Sequence, residues 1–144
     1  MSQIIWQHLR FADVLVLEEH ERTAACTVRD LHARHPRWLI FHKEDTVGAL
    51  MLLDERGSDL SLAVVSTYVP GWESVAEDLA RRGLPYVIDN KAGIDMPEEH
   101  SAYIAAPTDV GAVCDWADHA LSIARTSAAA RKYASGLAEK TASA

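Results

Sequence analysis

Two hydrophobic periods alternate along this chain. Short, nearly unbroken apolar runs stand at residues 13–17 (DVLVL), 38–41 (WLIF), 60–65 (LSLAVV), 85–88 (PYVI) and 103–105 (YIA). Runs of this length and β-branched content suit strands covered on both faces, as in a parallel sheet. Between them, apolar residues recur every three or four positions, the spacing of an amphipathic helix. The first predicted helix spans 23–35, with Ala24, Val28, Leu31 and Cys26 on its apolar face and Pro36 beyond its end. The second spans 46–56, capped by Asp45 or Thr46, with Val47, Leu50, Met51 and Leu53 inward. The third spans 73–82, with Val75, Ala76, Leu79 and Ala80 inward and Gly83 as its stop. A further helix spans 110–125, where Val113, Trp116, Ala117, Ala120, Leu121 and Ala124 share a face.

Five alternations of strand and helix predict an α/β fold, a doubly wound parallel sheet with helices on both faces. Right-handed crossovers leave few topologies, and the common five-stranded order is 2-1-3-4-5. The segment 89–100 is charged, contains Gly93 and Pro97, and has little periodicity. The helix expected there is short or missing, with at most a turn at 96–100. The predicted organisation is an N-terminal arm over 1–12, one domain over 13–125, and an Ala-rich helical tail over 126–144.

Composition narrows the function classes. With 144 residues the chain can bury a core without staples. Its formal charge of −7 and lack of a Lys/Arg block argue against a nucleic-acid partner. No apolar stretch is long enough to span a bilayer, and no signal-peptide pattern opens the chain. Cys26 and Cys114 are too few and too far apart for a disulfide framework or a zinc site. Buried thiols in a cytoplasmic protein are the expectation. The chain holds no GxxxxGK loop, no GxGxxG and no nucleophile elbow, so no enzyme and no cofactor are predicted.

In the 2-1-3-4-5 order, ligands bind where the strand order reverses, at the carboxyl ends of the first and third strands. Those ends carry Glu18-Glu19 and Ser66-Thr67. Three segments there resemble the receiver domains of two-component response regulators: VLVLEEHE (14–21), LAVVSTYVPG (62–71) and AAPTD (105–109). Their order and spacing cover about residues 13–124. The resemblance implies a flavodoxin-like fold and a place in a phosphorelay. In such domains an acidic pair and an acceptor aspartate hold magnesium, and a lysine neutralises the incoming phosphoryl group.

Against that pattern, Glu18 and Glu19 match the acidic pair, but Ser66 stands at the acceptor position and Ala106 at the lysine position. Asn90 stands at the phosphate-binding Ser/Thr position, or Asp89 if the register shifts by one. Tyr103 matches the switch aromatic, and Ala106-Pro107 matches a bond that is typically cis in the family. These departures imply a degenerate pseudo-receiver whose pocket (Glu18, Glu19, Ser66, Thr67, Asn90, Ala106) is vestigial. The function expected is that of a stand-alone signalling module. It would act by protein–protein contact with a kinase or regulator through the first helix or the face from the fourth strand to the last helix. Self-association into a homodimer stays open.

The alternative is a flavodoxin-like module that binds a small ligand through Glu18, Glu19, Ser66 and Asn90. A conventional receiver using Asp59 or Asp89 as acceptor is a third reading, although Asp59 opens its strand rather than ending it. Glu18 and Glu19 are also candidates for a weakly held cation, set against a solvated acidic loop. His20 beside them, and His32, His35 and His42, read as surface residues. Trp72 packs, plugs the pocket or anchors a partner, and Trp116 is expected in the core.

Overall fold

A computed structural model describes residues 11–96, 104–105 and 112–125. The elements run β1 (Asp13–Leu17), α1 (Glu21–Arg34), β2 (Leu39–Lys43), α2 (Thr46–Arg56), β3 (Leu62–Ser66), α3 (Trp72–Arg81) and β4 (Tyr86–Asp89). A two-residue strand, β5 (Ile104–Ala105), follows, and residues 112–125 are helical. Every strand pairing is parallel, and β1 to β4 lie in the order 2-1-3-4. Ile104 and Ala105 pair with Ile88 and Asp89 at the outer edge of β4. The predicted element types and the order of the four main strands hold, with ends displaced by one to three residues. The proposed turn at 96–100, Tyr103, and the 106–107 bond lie wholly or partly outside the described residues, as do most of the arm and the tail.

The two faces of the sheet bury separate cores. Val14, Val16, Leu62, Val64 and Val87 face α1 and helix 112–125, meeting Leu31, Trp38, Val113, Ala117 and Leu121. Leu15, Leu17, Ala63, Val65 and Ile88 face α2 and α3, meeting Leu52, Leu53, Trp72, Val75 and Leu79. β1, β3 and β4 are buried almost throughout because helices cover both sides. Among the described residues β2 is an edge strand, and Leu39 there is exposed.

Local signals set the helix starts. The Asp45 carboxylate accepts from Gly48 N–H at 2.7 Å, so Asp45 rather than Thr46 caps α2. Gly71 precedes α3 at φ 79°, a left-handed conformation that glycine adopts without a Cβ penalty. The turn closes on α2, where Thr46 Oγ1 donates to the Pro70 carbonyl at 2.7 Å. Trp72 is buried as the first residue of α3, so it packs in the core of that face.

Three packing expectations are corrected. The inward face of α2 is Ala49, Leu52 and Leu53, whereas Val47 and Met51 are exposed. All the candidate positions are apolar, so periodicity alone left the rotation of this helix ambiguous. Ala80 points outward on α3, and Asp78 is buried instead, held by Arg81 and Arg82 at 2.8 and 3.0 Å. Trp116 is only partly buried.

His35 is also corrected: it is buried rather than a surface residue. Its ring stacks on Trp38 with centroids 3.9 Å apart, and Nε2 donates to Asp118 Oδ1 at 2.6 Å. Arg34 reaches Asp115 and Asp118 at 2.7 and 3.2 Å. These contacts fasten the end of α1 to helix 112–125. Cys114 is buried between them, which pushes its thiol pKa up and leaves it an unreactive packing group.

The face of α2 is checked by paired truncations. Leu53→Ala should cost about 2–5 kcal/mol in urea unfolding. Met51→Ala should stay within about 0.5 kcal/mol of the parent. The opposite ranking would mean that α2 is rotated to the face its sequence first suggests.

Candidate functional site

The carboxyl ends of β1, β3 and β4 meet in one row. Leu17 is in register with Val65, and Ser66 with Asp89. Glu18 follows β1, so Glu18 and Asp89 flank the strand that ends in Ser66. All three residues are buried. Parallel strands place their carboxyl ends at one end of the sheet, and the reversal of strand order between β1 and β3 makes a crevice there.

Lys91 completes the row. Its Nζ lies 2.6 Å from Glu18 Oε2 and 3.0 Å from Asp89 Oδ2. The two carboxylates are 3% and 4% exposed and the lysine side chain 14%. Such charge-assisted hydrogen bonds are the strong ones, and low exposure keeps solvent from screening them. The ammonium reaches from the β4 side of the sheet to the end of β1, so it bridges two elements 73 residues apart in sequence.

The charges do not cancel. Two carboxylates face one ammonium, and burial raises the Asp89 pKa above its ordinary 3.8, with Glu18 adding to the rise and Lys91 opposing it. Glu18 Oε1 also accepts from His20 N–H at 3.2 Å. His42 Nε2 donates to the Glu18 carbonyl at 2.8 Å. His42 is therefore half-buried against the site rather than a free surface residue. His20 is exposed, with its ring edge-on to Tyr68 at 6.1 Å.

Thr67 and Asn90 are occupied in a second network. Thr67 Oγ1 donates to Asn90 Oδ1 at 3.2 Å and accepts from Ala92 N–H at 3.0 Å. Asn90 also accepts from Ile94 N–H and donates to the Ile94 carbonyl, at 3.1 and 2.9 Å. These bonds staple loop 90–94 to the end of the sheet and hold the Lys91 backbone in place. Ser66 Oγ accepts from Tyr68 N–H at 3.3 Å. Among the described residues, no buried side-chain polar atom lacks a partner.

The structure thus brings Glu18, Ser66, Thr67 and Asn90 together, whereas Glu19 is exposed. Ala106, Tyr103 and Pro107 lie outside the described residues. Two corrections follow. Glu18 is not part of a solvated acidic loop. The site is also not without an ammonium, because Lys91 supplies one where sequence reasoning looked only to position 106. Asp89 and Lys91 were missed as a pair. The signal was available, since applying the strand-end rule to β4 as well as β1 and β3 points to 89–91. Asp59 lies in an exposed turn before β3, at the opposite end of the sheet.

A magnesium ion does not fit these residues. It requires near-octahedral oxygen ligands at about 2.0–2.1 Å. The Glu18 and Asp89 oxygens already hold Lys91, and Ser66 offers no carboxylate. Among the described residues, no group of three or more His, Cys, Asp or Glu could hold a metal ion, and no helix is long and apolar enough to cross a membrane. A shallow depression of about 350 Å³ lies on helix 112–125, lined by Ala112, Asp115, Trp116 and His119.

Neither a protein-family profile nor a curated protein sequence matches this chain. The geometry defines the class: an α/β protein of flavodoxin-like character with an internally paired charge cluster at the switch point of its sheet.

Two stability predictions test this cluster. Lys91→Ala leaves two carboxylates buried without their counter-ion, and should cost about 3–5 kcal/mol near pH 7. The second concerns pH. A carboxyl with a raised folded pKa contributes stability that is fully present below its unfolded value and lost as pH rises through the folded value. The stability of the parent relative to Asp89→Asn should therefore fall as pH rises from 3.8 through that window. Urea titrations across the range measure it, and a difference that grows with pH would contradict it.

Proposed function

We propose that this chain is a receiver-like signalling module of the two-component or phosphorelay type. It is not phosphorylated by the usual route, and it works through contact with a signalling protein. The observation that carries this reading is the row Glu18–Ser66–Asp89 with Lys91 closed across it. A doubly wound sheet of order 2-1-3-4 supports the receiver-like skeleton. A hydroxymethyl group at the tip of β3 cannot form the acyl phosphate that a carboxylate forms. The flanking acids are held by an internal cation, so they are poorly placed to gather a metal and a phosphodonor.

The small-ligand alternative has less support. Among the described residues, Glu18 is paired with Lys91, Ser66 Oγ accepts from Tyr68 N–H and Asn90 bonds Thr67 and Ile94, while Glu19 is exposed. Asp89 as a relocated acceptor is disfavoured because its carboxylate is buried and already paired.

The test is incubation with acetyl phosphate and magnesium, followed by intact-mass measurement. The expected result is no phosphoryl adduct. A stoichiometric, acid-labile adduct would overturn the reading, and its loss in Asp89→Asn would identify β4 as the new acceptor strand.

A further inference from the structure

The Lys91 ammonium sits where two buried carboxylates converge, and a protein interior seldom holds two such groups without a cation. That cation can be a metal or a side chain. Glu18 follows β1 and Asp89 ends β4 on either side of β3, so strand register sets both at the same level of the sheet, and Lys91 Nζ is the cation both carboxylates contact. The lysine arrives from a loop that Thr67 and Asn90 anchor independently of it. We infer that Lys91 is a tethered cation that bars divalent metal from the site, and that removing its ammonium uncovers a divalent-cation site formed by Glu18 and Asp89.

Resting on the reading of this pocket as a retired phosphorylation site, the inference adds what replaced the metal. The distances agree with that exchange. The carboxylate oxygens stand 2.6 and 3.0 Å from Nζ, while calcium–oxygen bonds run about 2.3–2.6 Å. Shifts of a few tenths of an ångström would let both oxygens bind an ion of that size. Water entering the volume of the lost side chain would supply further ligands, and the Ser66 hydroxyl is a neighbour on the intervening strand. An ion bound this way would be held weakly, because only two charged ligands contribute. In the parent chain an entering ion must displace an ammonium that is covalently attached and therefore always present at high local concentration.

Manganese serves as the probe because its paramagnetism reports binding directly. Full-length parent, Lys91→Ala, Lys91→Gln and the double variant Lys91→Ala/Asp89→Asn are titrated with manganese and followed by electron paramagnetic resonance and thermal melting. The parent should bind no manganese at about 1 mM, and its melting temperature should not respond. Lys91→Ala should bind one ion and melt higher as manganese is added, and the double variant should lose both effects. Lys91→Gln keeps the stem and most of the packing without the charge, so it provides the same readout if the alanine variant does not fold. Parent protein that binds manganese as tightly as the variants would overturn the inference. So would Lys91 variants that fold and stay metal-free, or a double variant that still binds. Phosphoryl uptake by the parent with manganese still excluded would count against the proposed function and leave the cation assignment standing.

Discussion

The attraction between one ammonium and two buried carboxylates organises this end of the molecule. Glu18 and Asp89 are held near each other by strand register, which the hydrophobic cores on both faces of the sheet enforce. Without a cation between them, burial at 3% and 4% exposure would be strongly unfavourable. Lys91 offsets part of that penalty. In doing so it commits carboxylate oxygens that would otherwise be free. Packing sets the geometry, and electrostatics then determines what the site can bind.

That division explains how much was legible in the sequence. The strands were readable because burial on both faces leaves unbroken apolar runs such as Leu62–Val65. Asp45 was readable because a helix cap demands particular residues. The rotation of α2 was not, because Val47, Leu50, Met51 and Leu53 are all apolar and only the tertiary contact selects among them. Burial of His35 was also hidden. It depends on Trp38 stacking and on Asp118, which lies 83 residues away.

At the site, a motif-based reading found Glu18, Ser66, Thr67 and Asn90 because each stands at a strand end. It assigned the missing positive charge to position 106 alone. Lys91 lies in a segment without periodicity, and nothing local marks it as buried. Its role appears only when β1 and β4 are placed on either side of β3, so that a side chain from one can reach the other. Long-range ion pairs of this kind are a property of topology more than of local sequence.

The most direct test of this account is an experimental structure determined near pH 7 in excess magnesium. The account predicts Lys91 Nζ within hydrogen-bonding distance of both the Glu18 and Asp89 carboxylates, with no metal between them. A magnesium ion coordinated by those carboxylates, with Lys91 turned out to solvent, would contradict it.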